Sequence, residues 1–149
     1  RHDAEIADAC LARLGLADLA DHVYTRISGG ERQLALIARA LAQEAPLVVM
    51  DEPTASLDFG NQVRVLDEIR SLAASGIGVM MATHDPDQAF LCADRVALLH
   101  GGRLVADAPP HEAITPATLR EVYGVEAAVV DVPLPDGGSR RVCVPAPRR

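Results

Sequence analysis

Ile27-Ser28-Gly29-Gly30-Glu31, followed at short range by Leu47-Val48-Val49-Met50-Asp51-Glu52-Pro53-Thr54, decides the fold. The first stretch puts two glycines into the first turn of an amphipathic helix. The second is an apolar run that ends abruptly in two adjacent carboxylates. One suits a phosphate, the other a magnesium ion and a water to be activated. No Gly-x-x-x-x-Gly-Lys-Ser/Thr loop occurs among the 149 residues.

Around these stretches the composition narrows the options. A chain of 149 residues fits one domain of ordinary size. With two Phe, two Tyr and no Trp, its core must be built from Leu, Val, Ile and Ala. The net charge of −7 argues against a nucleic-acid partner, because phosphate contacts need clustered Lys and Arg. Arg140-Arg141 and Arg148-Arg149 are the only basic clusters, and a solvated tail explains them more simply. Cys10, Cys92 and Cys143 are odd in number and widely spaced, which indicates neither a disulfide framework nor a zinc site and favours reduced, intracellular surroundings. No apolar run approaches the ~18 residues of a membrane-crossing helix, and no signal-peptide pattern opens the chain. Membrane association is therefore expected only through a partner. Arg1 in place of Met points to a processed, excised or incomplete chain.

Residues 4–14 read as a helix with Ile6, Ala7, Cys10, Leu11 and Leu14 on one face, stopped by Gly15. A short connector over 16–26 leads to a second helix, with Leu34, Ile37, Ala38 and Leu41 on one stripe and Pro46 marking its end. The unbroken apolar character of Leu47–Met50 predicts a strand buried on both faces, and Ile77–Ala82 predicts a second. Between them runs a helix over 61–74 with Val65, Ile69, Leu72 and Ala73 inward, stopped by Gly76. Asp85-Pro86-Asp87-Gln88 reads as another helix start: an Asx cap, a first-turn proline, and Gln three residues after the cap. This rhythm implies a parallel sheet with crossover helices. Farther on, Arg95–His100 and Arg103–Ala106 flank a Gly101-Gly102 hairpin turn. A short helix runs from Thr115-Pro116 to Tyr123, and Val125–Val132 pairs with Arg140–Val144 across Pro135-Asp136-Gly137-Gly138. Residues 145–149 are expected to fray.

Each chemical feature has a plain structural reading beside a functional one. Ser28-x-x-Glu31 is a capping box. Yet each glycine in a helix costs about 1 kcal/mol relative to alanine, so two in the first turn make sense if something must approach the backbone closely. From physics alone a cap and an anion site stand level. Asp51 and Glu52 are polar residues at a strand end, as any surfacing strand has. They also sit where open α/β sheets bind ligands, Asp51 suited to Mg²⁺ and Glu52 to orienting or deprotonating a water. His84 ends the neighbouring strand and is either a surface residue or a contact to a terminal phosphate and its attacking water. Asp58 is either a helix cap or part of the same site.

Four motifs in order carry a resemblance. Ile27-Ser28-Gly29-Gly30-Glu31-Arg32-Gln33 with Ala38-Arg39-Ala40-Leu41 resembles the signature motif of ATP-binding-cassette (ABC) ATPases. Leu47–Glu52 is similar to that family's Walker B strand and catalytic glutamate, Ser56-Leu57-Asp58 to its D-loop, and Thr83-His84-Asp85 to its switch-histidine loop. Ile27 for Leu and Glu31 for Gln are conservative departures. The family's Walker A lysine loop, its adenine-stacking aromatic and its Q-loop would all lie before Arg1. In the tail, Gly102–Asp107 with Pro110-His111-Glu112, then Thr115–Val125, resembles the ATPase subunits of importers for iron–siderophore, haem and cobalamin.

The resemblance implies an α/β fold, an incomplete P-loop NTPase with a mostly parallel, RecA-like sheet. Residues 1–45 would be part of the helical subdomain, 46–108 the rear of the ATPase core, and 109–149 a C-terminal helix and β-hairpin extension. It implies ATP and Mg²⁺ as cofactors, a head-to-tail dimer with a second ATP-binding subunit, and transmembrane permease subunits as partners at the inner face of the cell membrane. Ser28, Gly29, Gly30 and Glu31 would meet ATP held by the partner subunit. Asp51 would hold Mg²⁺, Glu52 and His84 would be catalytic, and Ser56, Leu57 and Asp58 would form the interface loop. Two other classes stay open: a soluble, non-transport cassette ATPase, and an inactive remnant or dimerisation piece without its lysine loop.

Overall fold

A computed structural model describes residues 2–135 and 137–146. The chain divides into two compact units, Arg1–Thr83 and His84–Arg149.

The first unit contains α1 (His2–Arg13), two short 3-10 turns, α2 (Gly29–Leu41), β1 (Leu47–Asp51), α3 (Phe59–Ala74) and β2 (Gly78–Ala82). Gly15 adopts a left-handed φ of 68°, letting the Leu16 N–H reach back to the Leu11 carbonyl at 2.8 Å and close α1. The expected α2 stripe of Leu34, Ile37, Ala38 and Leu41 is buried. On α3 the buried residues are Val65, Leu66, Ile69 and Leu72. Ala73, expected inward, is only half-buried, one residue from the end of the helix, and Leu66 is buried in addition to the expected positions. α2 packs on α1 and α3, and α3 packs on β2.

β1 and β2 pair in parallel from Leu47 opposite Gly78 to Asp51 opposite Ala82, with α3 as the connection. Burial on both faces is not what the strands show. Val48 and Met50 are buried, whereas Leu47, Val49 and Met80 on the opposite face are 50%, 68% and 60% exposed. The pleat sends alternate side chains to opposite faces. The face bearing Leu47, Val49 and Met80 has no covering element among the described residues.

The second unit contains α4 (Pro86–Cys92), the hairpin β3 (Val96–His100) and β4 (Arg103–Ala108), α5 (Pro110–Ala113), α6 (Pro116–Tyr123), and the hairpin β5 (Ala127–Pro133) and β6 (Ser139–Pro145). Gly101 and Gly102 both have positive φ, 55° and 74°, as a two-residue hairpin turn demands. Ala89, Ile114 and Leu119 form the core, with Phe90, Ala93, Val96, Ala127, Val129 and Cys143 packed against it. Fraying from residue 145 onward does not hold at its start: Pro145 pairs with Ala127, and the Ala146 N–H donates to the Glu126 carbonyl at 2.8 Å. Asp136 of the hairpin turn and residues 147–149, including Arg148-Arg149, lie outside the described residues.

Candidate functional site

Ser28 leaves the connector in an extended conformation and caps α2. Its Oγ accepts the Glu31 N–H at 3.3 Å, and Glu31 Oε2 accepts the Ser28 N–H at 2.7 Å. The Ser28 hydrogen bonds hold the exposed Glu31 carboxyl below its ordinary value. Arg32 Nη1 also donates to the Ile27 carbonyl at 2.7 Å, which ties the incoming chain to the helix. The capping box is therefore real, and it occupies the outer two N–H groups. Between them, Gly29 and Gly30 contribute first-turn N–H groups, which have no acceptor within a helix.

The two glycines face different surroundings. A Cβ on Gly30 would fall 2.1 Å from Asn61 Oδ1 and 2.9 Å from Asn61 Cβ. Something does approach the backbone closely there, and it is the chain's own α3. A Cβ on Gly29 would meet nothing nearer than Leu57 Cδ2 at 3.4 Å, an ordinary contact. Packing inside the chain explains the glycine at 30; the contacts around Gly29 do not require a glycine there.

β1 delivers Asp51 and Glu52 at its carboxyl end, both exposed. Glu52 donates its N–H to the Ala82 carbonyl at 2.9 Å and then turns with a φ of 45°. Ser56 is likewise left-handed, with a φ of 62°. Such a conformation costs a non-glycine residue roughly 1–2 kcal/mol. Buried Pro53 and Thr54 anchor the loop, and two tight hydrogen bonds, Ala55 N–H to Glu52 at 3.0 Å and Leu57 N–H to Thr54 at 3.2 Å, hold its shape. Strain of this kind concentrates at functional loops. Neither residue type announces it in the sequence.

The loop ends at Asp58, which caps α3. Its Oδ1 accepts the Asn61 N–H at 3.0 Å and its Oδ2 accepts Asn61 Nδ2 at 2.6 Å, and these bonds hold its carboxyl low. Asn61 thus touches Asp58 on one side and Gly30 on the other. In this way the first unit brings Ser28, Gly29 and Gly30 together with Leu57 and Asp58, and joins them by the 52–57 loop to Asp51 and Glu52. His84 opens the second unit and is exposed; β2 stops at Ala82, two residues short of it. The His84 carbonyl accepts the Tyr123 hydroxyl at 3.1 Å.

The donor chemistry fits a magnesium ion. Mg²⁺ retains several waters and takes one or two carboxylates plus phosphate oxygens, rather than an all-protein cage. Asp51, an exposed carboxylate at a strand end, suits that coordination.

Residues 2–55 match the family model described as "ABC transporter". The chain is 50% identical over 99 residues to an uncharacterised ABC transporter ATP-binding protein of Haemophilus influenzae, covering 66% of the chain and 38% of that protein. It is 42% identical to a cobalamin import ATP-binding protein of Halobacterium salinarum, covering 85% of the chain and 32% of the relative. With a hemin import ATP-binding protein of Streptomyces coelicolor it shares 45% identity, covering 81% and 43%. The chain thus spans about a third to less than half of these relatives. Among solved structures it is similar to an ABC transporter described as of the metal-chelate type, in an inward-facing conformation. There the TM-score is 0.93 at 32% identity, covering 99% of this chain and 58% of that one. An ATP-binding cassette in its ADP conformation gives a TM-score of 0.70 at 28% identity, covering 75% and 44%. The fold is the α/β fold of P-loop nucleotide-binding domains.

Proposed function

Because the chain belongs to the ATP-binding domains of ABC transporters, we propose that its complete protein is the ATP-hydrolysing subunit of an importer. The cargo class would be an iron chelate, haem or cobalamin, in keeping with the names of the relatives and with the 102–125 stretch. No helix among the described residues is long and apolar enough to cross a membrane. Attachment to the inner face would run through permease subunits, in keeping with the import role in the relatives' names. The segments 1–45, 46–108 and 109–149 would serve as helical subdomain, rear of the core and extension.

The observation that carries the reading is the start of α2. Its capping box occupies the outer N–H groups, and those of Gly29 and Gly30 lie between them in a first turn that gives them no acceptor within the helix. In a head-to-tail dimer, Ser28, Gly29 and Gly30 would donate to the γ-phosphate of ATP held by the partner subunit. Glu31, whose carboxylate is bound to Ser28, would hold that turn in shape rather than touch phosphate. Asp51 would hold Mg²⁺, which when bound neutralises charge on the phosphates. Glu52 would orient the attacking water and accept its proton, and His84 would position the γ-phosphate and that water. Ser56, Leu57 and Asp58 would line the interface and link the two sites. Donors fixed in advance around developing charge provide most of the catalysis in phosphoryl transfer.

Two variants of the complete protein test this. Glu52→Gln keeps size and some hydrogen bonding but cannot take the proton, and loss of a general base costs about 10²–10⁴-fold in rate. It should bind ATP, lose most hydrolysis and run as an ATP-dependent dimer on size exclusion. Ser28→Arg fills the space at the helix start and should stay monomeric with ATP. Normal ATP-driven dimerisation of Ser28→Arg would refute the role given to α2.

A further inference from the structure

The ATPase motifs end at Asp85, yet the segment that carries His84 is held by elements from the end of the chain. The Tyr123 hydroxyl donates to the His84 carbonyl at 3.1 Å. Three residues along, Asp87 Oδ1 accepts the Cys143 N–H of β6 at 2.7 Å. Between these ties Asp85 caps α4, its Oδ1 accepting the Asp87 N–H at 2.9 Å and its Oδ2 accepting Gln88 Nε2 at 3.3 Å. The His84–Asp87 segment is therefore tied at both ends, by α6 and by β6.

Tyr123 is itself placed firmly. It is the last residue of α6, whose start is fixed by the reciprocal Thr115–Thr118 box and whose middle is seated in the core by Leu119. Gly124, left-handed with a φ of 67°, ends the helix there and turns the chain into β5. The ring is half-covered, and desolvation, with Asp85 and Cys143 nearby, raises the phenol above its ordinary value. Although Tyr123 is 41% exposed, its hydroxyl is bonded within the chain, and the acceptor is a backbone oxygen beside a candidate catalytic side chain.

That choice of atom has a consequence. Holding the carbonyl oxygen of His84 restrains the peptide plane between His84 and Asp85, and so narrows the backbone conformations of His84 from which its side chain departs. We propose that Tyr123 is a positioning residue for His84, holding its backbone so that the imidazole is aimed before ATP arrives. This rests on the reading of His84 as the histidine beside the γ-phosphate. It gives the C-terminal extension a part in hydrolysis: α6 carries the hydroxyl, and β6 secures the far end of the segment. A catalytic group displaced by about 1 Å can lose as much as 10²-fold in rate.

Tyr123→Phe removes the hydroxyl and keeps the ring in place. In the complete ATP-binding protein, kcat for ATP should fall about 3–30-fold while KM stays within about twofold. In the same variant the imidazole Cε1–H resonance of His84 should move, while those of His2, His22, His100 and His111 stay. A drop in kcat with the His84 resonance unmoved would show a structural effect and overturn the proposal. So would wild-type kcat in Tyr123→Phe. His84→Ala is measured alongside. If it turned over ATP like wild type, the role of His84 itself would fall and the proposal with it. A moved His84 resonance in Tyr123→Phe would then still distinguish that failure from an absent tie.

Discussion

Gly30→Ala isolates the reason for one of the two glycines. The added Cβ would fall 2.1 Å from Asn61 Oδ1, 2.4 Å from Cγ and 2.9 Å from Cβ. Carbon prefers neighbours at about 3.5–4.0 Å, so the amide must swing aside. Swinging it breaks the 2.6 Å bond to Asp58 Oδ2, and even then the Asn61 Cβ remains too close. Overpacking of this kind costs about 1–3 kcal/mol, against about 1 kcal/mol gained by replacing glycine with alanine in a helix. The net expectation is a loss of roughly 0–2 kcal/mol. In an Asn61→Gly background all three close atoms vanish, and the same substitution should stabilise by up to about 1 kcal/mol. Urea unfolding of the complete protein reads the difference as a midpoint shift of opposite sign in the two backgrounds. Stabilisation in both would refute the contact. Gly29→Ala is the counterpart: with only Leu57 Cδ2 at 3.4 Å it should cost no stability, yet weaken ATP-driven dimerisation.

Two further outcomes follow from the chain as it stands. The 149 residues alone contain no Gly-x-x-x-x-Gly-Lys-Ser/Thr loop and should release no phosphate from Mg-ATP; turnover that vanishes in Glu52→Gln would refute this. The open face of Leu47, Val49 and Met80 should make the isolated chain self-associate, and Val49→Lys with Met80→Lys should lower its light scattering; a monomeric wild-type chain with one cooperative urea transition would refute this.

What the sequence made legible was local. Ser28, Asp58 and Thr115 cap the helices that follow them, and Gly15, Gly101, Gly102 and Gly124 take the left-handed conformations that stops and turns require. The capping preferences of Ser, Asp and Thr and the freedom of glycine act within four residues, so a single segment reveals them. Burial of β1 and β2 is not legible in this way, for the opposite reason. An apolar run states what a strand tolerates, and only the surrounding elements decide what covers each face. α5 escaped notice because four residues offer no periodicity. Glu52 and Ser56 are left-handed without being Gly or Asn, so nothing in their identity marks the strain. The ties from Tyr123 to His84 and from Cys143 to Asp87 span 39 and 56 positions, and no pattern in the chain pairs them.

The two glycines at the start of α2 sit in different surroundings. Gly30 is buried and gives way to Asn61; Gly29 is less covered and meets no close atom of the chain. Asn61 also grips Asp58, which closes the loop that begins at Glu52. A short run of contacts therefore leads from the carboxylates at the end of β1, through a loop anchored by Pro53 and Thr54, to the start of α2. Spatial continuity is not coupling by itself, because coupling requires an element with two states that both sites bias. The 52–57 loop stores strain in two left-handed residues, Glu52 and Ser56, beside buried Pro53 and Thr54, and is the segment whose substitution would test for such an element.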